Sequence, residues 1–383
     1  MTRPLGGKPT LRILGTRGVP AAHGGFETFA EHFALYLVAQ GWRVVVYCQE
    51  DDDGPIYEDC WRGVERVRIP VKRRGPVGTI IFDWKATAHA GKFRDLCLTL
   101  GYNTAIFGAI LRLKGIPNVI NMDGIEWARA KWGAVAKAWF WLNDWAGCWL
   151  GSHLIADHPE IKRHLESRVG SHKISMIPYG ADSIDSADPL PVLRFSLRPG
   201  RFLTLIARAE PENSVLEMVR GFSSKPRGVN LVVLGSYDCA DNPYHRAVKE
   251  AASEEVIFLG AVYDKEVVQS LRSHSMAYVH GHRVGGTNPS LVEAMGAGNP
   301  VLAHDNKYNR WVAGDAALYF ASEQEFGERL DWLISSEDRR SDMSRGSRSR
   351  FEAMLTWPRV LAAYEAILSP FICDAYRLRP SNR

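Results

Sequence analysis

Short apolar runs alternate along the chain with longer segments in which apolar residues recur every three or four positions. Runs rich in Val, Ile and Leu are typical of buried strands, and the longer spacing is typical of amphipathic helices. This alternation predicts an α/β fold whose parallel sheets carry helices on both faces, in two consecutive Rossmann-like units. The first series of strands is predicted near 11–15, 43–47, 95–100, 117–121, 153–156 and 174–177, and the second near 202–207, 230–234, 255–259, 276–280, 300–303 and 317–320.

The boundary between the two predicted domains lies in residues 181–200, a polar and proline-rich segment without regular periodicity. Such a composition is typical of interdomain linkers. A chain of 383 residues also suits two domains of about 150–200 residues each. We predict a first domain over 1–182, a second over 183–356, and a helical tail over 357–383 that could pack back on the first domain.

The composition is that of a folded protein in a reducing compartment. Hydrophobic residues make up 46% of the chain and charged residues 23%, which permits a core in both domains. No segment resembles a signal peptide and no run of about 18 apolar residues is free of charge, so we expect a cytoplasmic location. The six cysteines lack the spacing of metal ligands, which predicts reduced thiols and no structural zinc. They are Cys48, Cys60, Cys97, Cys148, Cys239 and Cys373.

The net charge of +4 is concentrated in the first half of the chain. A basic run over residues 62–94 contains two acidic residues, Glu65 and Asp83. A surface of this charge could meet phosphate groups, anionic lipid headgroups or nucleic acid. No nucleic-acid-reading motif accompanies it, so we expect no nucleic-acid partner. The basic residues are Arg62, Arg66, Arg68, Lys72, Arg73, Arg74, Lys85, Lys92 and Arg94.

A glycine-bearing loop follows the first predicted strand, in the segment GTRGVPAAHGGFETFAE of residues 15–31. Such a loop brings free backbone N–H groups and the positive end of a helix dipole to the sheet edge where α/β ligands bind. Gly24 and Gly25 would let a ligand approach the backbone, and Glu27 lies in the first helical turn. We predict an acceptor or phosphate loop here, and the alternative is a tight turn that needs positive φ. The fingerprint GxGxxG is absent, which argues against a dehydrogenase.

The segment HGHRVGGTNPSLVEAMGAGNPVLAHD of residues 280–305 carries a second candidate site. Asn288 and Pro289 suit the N-cap and first position of a helix of about two turns. Because glycines precede them, the exposed amides would form an anion seat, and Glu293 would accept hydrogen bonds from a ribose hydroxyl. The alternative is a short capped helix with a solvated Glu293. The predicted donor-binding residues here are Gly286, Thr287, Asn288, Ser290 and Glu293.

Arg208 is a further candidate for binding the donor. It emerges at the carboxyl end of a predicted strand, in the segment FLTLIARAEPEN of residues 202–213. A guanidinium at such an edge suits a diphosphate, because it offers paired donors to phosphate oxygens and keeps its charge.

A tryptophan-rich segment, KWGAVAKAWFWLNDWAGCWL, covers residues 131–150. Rings at this density, flanked by Lys131 and Lys137, could form an interfacial surface on a bilayer. The alternative is a buried core helix. Together with the basic run, the segment suggests peripheral contact with an anionic membrane at the inner face of the cell membrane. The tryptophans are Trp132, Trp139, Trp141, Trp145 and Trp149.

Four segments of the chain resemble those of glycosyltransferase family 4, which has the GT-B fold. The resemblance covers nearly the whole chain. Within that family the chain resembles the bacterial β-1,4-rhamnosyltransferases of cell-wall and capsule assembly. The resemblance implies two Rossmann-like domains facing across a cleft, with a nucleotide-sugar donor on the second domain and the acceptor entering from the first. The segments are GTRGVPAAHGGFETFAEHFA, NMDGIEWARAKWG, IARAEPEN and GGTNPSLVEAMGAGNPVLAHDN.

The resemblance also implies the reaction. A sugar, L-rhamnose from dTDP-rhamnose as the best match, would pass with retained configuration to a saccharide or lipid-linked saccharide in surface polysaccharide biosynthesis. The departing β-phosphate would accept the acceptor proton, so that the chain needs no metal and no cofactor for hexosyl transfer.

Three positions depart from the family pattern. Gly285 stands where the donor motif usually has its first glutamate, and Asn213 stands where a lysine usually follows the loop arginine. The diphosphate would then rely on Arg208, with Arg283 as a possible substitute. Asp123 replaces a histidine of many relatives at a strand end. As the candidate catalytic residue it would orient or deprotonate the acceptor hydroxyl, or it would contact the donor sugar; the structural alternative is a turn cap.

Two rival functions remain open at this stage. A sugar-nucleotide epimerase or phosphorylase would use the same two-domain plan, and a non-catalytic sugar-nucleotide-binding protein could have kept the fold after losing the chemistry. The glycine at position 285 favours the second rival.

Overall fold

The computed structural model describes residues 8–22 and 24–377, with side chains up to residue 372. The chain divides into two compact units, one formed by residues 1–178 with 358–383 and the other by residues 179–357. Residues 378–383 of the predicted tail, and the side chain of Cys373, lie outside the described part.

The first unit contains an eight-stranded sheet in the order β3-β4-β2-β1-β5-β6-β7-β8. All neighbouring strands pair in parallel except β3 and β4. The strands are β1 (Thr10–Leu14), β2 (Arg43–Glu50), β3 (Tyr57–Trp61), β4 (Val64–Pro70), β5 (Leu96–Leu100), β6 (Asn118–Asn121), β7 (His153–Ala156) and β8 (Ile174–Met176).

Amphipathic helices connect these strands, as the spacing of apolar residues predicts. Phe29, Phe33 and Leu37 of the first helix are buried at the expected helical spacing. The helices are α1 (Gly25–Ala39), α2 (Gly75–Ala90), α3 (Ala109–Leu113), α4 (Ala134–Leu150) and α5 (Pro159–Glu166).

β3 and β4 are missing from the predicted strands, because this segment stands out in the sequence by its charge. Arg66, which is buried, places Nε 2.7 Å from Asp59 Oδ1 of the paired strand. Arg68 binds the same carboxylate at 2.9 Å and also pairs with Glu50. The basic run is therefore partly neutralised by acids that precede it in the chain.

The second unit contains a six-stranded parallel sheet in the order β11-β10-β9-β12-β13-β14. Each predicted strand of the second series corresponds to one of these, with bounds that differ by one residue at most. They are β9 (Phe202–Ile206), β10 (Asn230–Leu234), β11 (Val256–Gly260), β12 (Ala277–His280), β13 (Val301–His304) and β14 (Leu318–Phe320).

Helices cover both faces of this sheet, and a last helix follows it. None of the described helices is both long and apolar enough to cross a membrane. They are α6 (Leu190–Arg194), α7 (Val215–Ser223), α8 (Pro243–Glu250), α9 (Lys265–Ser273), α10 (Pro289–Gly296), α11 (Lys307–Ala313), α12 (Glu323–Ile334), α13 (Glu337–Met354) and α14 (Trp357–Arg377).

From Pro358 onward, α14 belongs to the first unit. The buried ring of Tyr364 lies 4.5 Å from that of Phe29 and 5.5 Å from that of Phe33, measured between centroids. Its hydroxyl accepts a hydrogen bond from Asn121 Nδ2 at 2.7 Å. Glu365 accepts a further bond from the hydroxyl of Tyr36 at 2.7 Å. The end of the chain thus completes the core beside α1 and β6.

We predict that Tyr364→Ala lowers the free energy of unfolding by about 3–5 kcal/mol, because it leaves a cavity against two buried phenylalanines. Urea unfolding followed by circular dichroism measures the change. Tyr263→Ala, at an exposed tyrosine, is the matched control and should stay within about 0.5 kcal/mol of wild type. Equal losses in the two variants would contradict the packing role of Tyr364.

Candidate functional site

The loop after β1 lies directly against the end of β5. Gly15 has φ +76°, and a Cβ at this position would stand 2.2 Å from the carbonyl oxygen of Leu100. A side chain is therefore excluded by contact as well as by backbone conformation. This approach brings the predicted loop to the carboxyl edge of the sheet, where ligands of α/β folds bind.

Two glutamates of α1 hold this loop in place. Glu27 Oε1 accepts a hydrogen bond from the backbone N–H of Arg17 at 3.1 Å, and Glu31 Oε2 accepts one from Ala21 at 2.6 Å. Glu27 is buried in the first turn of α1, beside Gly24. Because a carboxylate already lies at this helix N-terminus, the loop suits a hydroxyl-bearing ligand better than a phosphate.

Two cavities open at this edge within the first unit, and both are lined by Arg17, Glu27, Gln49 and Thr79. Cavity A, of about 370 Å³, extends toward β2 and the start of α2. Cavity B, of about 330 Å³, extends toward β5 and is also lined by the predicted Gly24 and Gly25. Gly24, Gly25 and Glu27, the three residues predicted for the acceptor or phosphate loop, therefore all line cavity B. The exposed guanidinium of Arg17 has no ion pair within the described part of the chain.

Asp83 also lines cavity B. In the sequence, Asp83 stands out only as an acidic residue within the basic run. Its carboxylate is buried and accepts a hydrogen bond from Thr104 Oγ1 at 2.8 Å. Burial raises the pKa of Asp83 from 3.8 to about 6, against the opposing effect of Thr104. Its spacing from Ala86, Thr87 and Ala90 on the buried face of α2 is the sequence signal that could have identified it.

Asp123 follows β6 in a left-handed conformation, with φ +50°. Its backbone N–H donates to Asn121 Oδ1 at 2.9 Å, so the turn is fixed by the residue that also binds Tyr364. Such a conformation is costly for a residue with a side chain and is common at functional sites. Asp123 is half-buried and is not among the residues that line cavities A and B.

In the second unit, the loop after β9 presents Arg208 to solvent. Its guanidinium has no hydrogen-bond or ion-pair partner among the residues that the structure describes. Asn213 is buried, and its side-chain Nδ2 donates to the carbonyl oxygen of Arg208 at 2.9 Å. The asparagine that replaces the usual lysine therefore shapes the loop rather than adding a charge.

The loop after β12 packs tightly on the loop after β9. A Cβ on Gly281 would stand 2.2 Å from the carbonyl oxygen of Asn213 and 2.4 Å from Met218 Cε. Gly285, in the same loop, has φ +127°, which side chains rarely adopt. The glycine that replaces the usual glutamate thus belongs to a backbone that would be strained by a carboxylate residue.

Arg283, the predicted substitute for the missing lysine, is engaged within its own unit. Its Nε donates to Ser214 Oγ at 2.7 Å, and its Nη2 lies 2.8 Å from Glu217 Oε1. Its backbone N–H donates to the carbonyl of Glu212 at 2.9 Å. The charge of Arg283 is therefore shared with a carboxylate, whereas Arg208 pairs with none in the part of the chain that the structure describes.

The start of α10 has the predicted capping arrangement. Asn288 Oδ1 accepts hydrogen bonds from the backbone N–H of Ser290 at 3.1 Å and from its hydroxyl at 2.8 Å. Thr287 is buried beside it, and Gly286 is half-buried. The predicted donor residues from Gly286 to Ser290 thus form one continuous turn at the carboxyl end of β12.

Glu293 is half-buried, and its carboxylate already has a partner within the second unit. Its carboxylate forms an ion pair with Arg272 of α9, whose side chain is almost entirely buried. The sequence did not predict this partner, which lies 21 positions earlier in the chain. The side chain of Glu293 is 30% exposed.

Three histidines at the same edge were also missed. The rings of His280 and His282 stack with centroids 4.4 Å apart, and burial lowers the pKa of His280 well below its usual value. Burial and the charge of Arg283 lower the pKa of His304. Both ring nitrogens of buried His280 lack a partner among the described residues. The lowered pKa values favour the neutral imidazole at His280 and His304.

Comparison with known proteins identifies a domain in the second half of the chain. Residues 199–350 match the family described as "Glycosyl transferases group 1". Residues 8–182 match a family described as "Domain of unknown function (DUF1972)". No curated protein matches the chain significantly. The chain therefore carries a glycosyltransferase group 1 domain, and its assignment to family 4 and to the rhamnosyltransferase branch stays a prediction.

Several solved structures share the fold. Sucrose-phosphate synthase from Thermosynechococcus elongatus is 16% identical, with a TM-score of 0.80 over 96% of this chain and 100% of that one. Alr3699/HepE from Anabaena in complex with UDP is 14% identical, with a TM-score of 0.73 over 94% and 100%. The α,α-trehalose 6-phosphate synthase from Burkholderia multivorans is 11% identical, with a TM-score of 0.74 over 98% and 99%. This likeness confirms the predicted α/β fold with Rossmann-like domains, as in GT-B glycosyltransferases.

We predict that Asp83→Asn stabilises the protein at pH 8 by up to about 3 kcal/mol. A raised pKa means that the folded chain holds this proton more tightly than the unfolded chain, so Asp83 lowers stability as pH rises from about 4 through 6. Urea unfolding at pH 8 and pH 5 measures the difference, which should shrink at the lower pH. Asp52→Asn, at an exposed carboxylate, should show no such trend. A difference that is independent of pH would show that Asp83 titrates normally.

Proposed function

We propose that this chain, which carries a glycosyltransferase group 1 domain, is a retaining glycosyltransferase that moves a sugar from a nucleotide diphosphate to a saccharide acceptor. The observation that carries the proposal is the exposed guanidinium of Arg208, which has no ion-pair partner among the described residues and lies at the sheet edge where α10 begins. The best candidate donor is dTDP-rhamnose. The best candidate acceptor is a lipid-linked saccharide of surface polysaccharide biosynthesis.

The donor diphosphate would lie between Arg208 and the turn from Gly286 to Ser290. Negative charge grows on the diphosphate as the sugar leaves, and fixed donors that meet this charge lower the barrier. The departing β-phosphate would accept the proton of the acceptor hydroxyl. The oxygen of that hydroxyl would form the new bond to the anomeric carbon on the same face of the sugar. Glu293 would bind the ribose hydroxyls through its exposed side. No metal and no further cofactor enters this scheme.

The acceptor would bind to the first unit at cavities A and B. Gln49, whose Oε1 is buried and without a partner among the described residues, and Asp83 both line cavity B and suit sugar hydroxyls. Asp123 would orient the reacting hydroxyl from the turn after β6. The strained backbone of Asp123 supports this role, because it holds the residue at a strand end against its conformational preference.

The identity of the nucleotide is open to a direct test. The comparison structures include one in complex with UDP, so uridine and thymidine nucleotides both belong in the experiment. A thermal-shift panel of dTDP-rhamnose with UDP- and GDP-sugars compares them. A ligand at 100 times its dissociation constant adds about 2.7 kcal/mol of stability. Stabilisation by none of the nucleotide sugars would contradict the donor assignment.

A non-catalytic sugar-nucleotide-binding protein is the second candidate function. The observation that favours it is Gly285, whose positive φ fits a loop built without the usual glutamate. Such a protein would bind the nucleotide sugar without turning it over with any lipid-linked acceptor. An epimerase would instead convert the donor in the absence of acceptor, so product analysis with and without acceptor separates the three functions.

We also propose that the protein contacts an anionic membrane peripherally, at the inner face where a lipid-linked acceptor would be presented. The basic run supports this contact less than its sequence indicates. Besides the partly exposed ion pairs that Arg66 and Arg68 of β4 form, Lys72 lies 3.9 Å from Asp53 and Arg74 lies 3.5 Å from Asp51. These two pairs are exposed and weak, so their lysine and arginine can still respond to lipid charge.

We predict that Arg208→Ala weakens binding of the nucleotide sugar at least tenfold, because it removes the unshared cation that faces the diphosphate. Charge-assisted hydrogen bonds of this kind contribute about 1.5–3 kcal/mol. Isothermal titration calorimetry with the nucleotide sugar chosen from the panel measures the loss. Arg198→Ala, at another exposed arginine of the second unit, is the control and should bind as wild type does. Unchanged affinity in Arg208→Ala would remove this residue from the donor site.

We predict that Glu293→Gln weakens nucleotide binding several-fold and also lowers the melting temperature. The loss of stability follows because buried Arg272 would lose its carboxylate partner. The double variant Arg272→Gln/Glu293→Gln should recover stability without recovering affinity, which separates the two roles. Glu250→Gln, at an exposed carboxylate, is the control. If the single variant melts early but binds nucleotide normally, Glu293 has only the structural role.

A further inference from the structure

Helix α4 turns its polar side inward and its aromatic side outward. Asn143 and Asp144 are buried, whereas Trp141 is 49% exposed and Trp149 is 63% exposed. This is the reverse of an ordinary surface helix, in which the apolar face packs on the core. Trp141 and Trp149 are therefore not part of a buried core.

Buried contacts fix the helix in this orientation. Asn143 Oδ1 accepts a hydrogen bond from the backbone N–H of Ile106 at 3.0 Å. Asp144 Oδ2 lies 3.0 Å from Arg168 Nη2 and 2.9 Å from His164 Nε2, and it accepts a bond from Trp127 Nε1 at 2.7 Å. Rolling the helix inward would leave these polar groups without partners, which is costly. The outward aromatic face is thus a stable property of the first unit.

The outward face forms one continuous stripe along the helix, in which Trp145 is half-buried. The rings of Trp141 and Trp145 have centroids 6.2 Å apart, and those of Trp145 and Trp149 are 5.2 Å apart. Val135 is 87% exposed and Leu142 is 44% exposed on the same side. From residue 135 to residue 149 the stripe is about 21 Å long. We call this set the tryptophan stripe, and its members are Val135, Ala138, Trp141, Leu142, Trp145 and Trp149.

The charges around the tryptophan stripe are cationic. Lys137 lies beside it on α4, and the exposed Lys131 precedes the helix. The side chain of Arg168, whose guanidinium lies 4.4 Å from the ring centroid of Trp145, is almost entirely buried and pairs with Asp144. Lys173 Nζ donates to the carbonyl oxygen of Cys148 at 2.7 Å, near the end of the helix. Asp144, the one acidic residue of α4, is buried and paired. The face therefore joins apolar rings to positive charge with no exposed carboxylate of its own helix.

We propose that the tryptophan stripe lies in the interfacial layer of an anionic lipid surface, with the axis of α4 parallel to the membrane. Indole rings favour this layer because they combine a large apolar surface with a polar N–H group. A stripe along the whole helix can meet a flat surface only when the axis lies parallel to it. The proposal deepens, and rests on, the proposed use of a lipid-linked acceptor by the first unit.

The size of the tryptophan stripe argues against a second copy of this chain as its occupant. Its exposed apolar side chains present on the order of 500 Å². A standard stable protein interface buries about 800 Å² on each partner. The stripe is also narrow, being one helix wide, and the cations beside it would face like charges in a two-fold contact. A lipid surface meets both features, because it is extended and carries negative charge.

Tryptophan fluorescence of the full chain tests the contact directly. Wild type is titrated with phosphatidylglycerol vesicles whose acyl chains are brominated, and with matched vesicles that are not. Bromine quenches rings only at close range, so quenching by the brominated vesicles alone is the expected result. Trp141→Ser/Trp149→Ser should weaken sedimentation with these vesicles at least tenfold. Trp332→Ser, at a tryptophan of the second unit that is 39% exposed, is the matched control and should sediment as wild type does.

Each other outcome has a definite meaning. Wild type that shows no bromine-specific quenching overturns the proposal without any variant, and so does a folded double variant that sediments as wild type does. Self-association of wild type in analytical ultracentrifugation without lipid, lost in the double variant, would assign the stripe to a second copy instead. Titration of the same variants with nucleotide sugar distinguishes a failure of the stripe proposal from a failure of the proposed donor site. Lost vesicle binding with intact nucleotide binding supports the stripe, and absent nucleotide binding in every variant contradicts the donor site alone.

Discussion

The close approach of two backbone loops, at the edge of the second sheet, is the constraint on which the candidate donor site depends. Gly281 lets the loop after β12 reach the carbonyl of Asn213, where any side chain would collide. That contact carries the bond from the backbone of Arg283 to Glu212 and the side-chain bond from Arg283 to Ser214. The first unit repeats the device at Gly15 against β5. In both units, a glycine that lets two backbone segments approach closely positions the loop residues at the carboxyl edge of the sheet.

The fold follows from the sequence to the extent that each element has its own periodicity. Apart from β3 and β4, the strands of both sheets were predictable because parallel buried strands are continuous apolar runs. β3 and β4 could not be predicted in this way. The buried Arg66 of β4 is stabilised by Asp59 of the antiparallel neighbour β3, a partner that periodicity does not reveal. The capped start of α10 was predictable from Asn288 and Pro289, since capping is local chemistry.

The parts of the candidate sites that escaped prediction depend on contacts distant in sequence. Arg272 limits what Glu293 can offer a ligand, and nothing in the segment around Glu293 indicates that partner. Asp83 gains its raised pKa from burial in the folded unit rather than from its sequence neighbours. The tryptophan-rich segment left two interpretations open, because periodicity gives the angle between faces and not the face that meets solvent. The buried pairing of Asp144 supplies that direction.

The division of the first unit between two distant parts of the chain has a consequence for biosynthesis. Residues 1–178 leave the ribosome early in synthesis. Helix α14, whose Tyr364 covers Phe29 and Phe33, emerges only after the whole second unit has been made. Until Tyr364 arrives, part of the core beside α1 is open to water and to nascent-chain binding factors. The turn that holds Asp123 likewise lacks one of its supports, the bond between Asn121 and Tyr364. The first unit can therefore complete this part of its core only after the second unit has been synthesised.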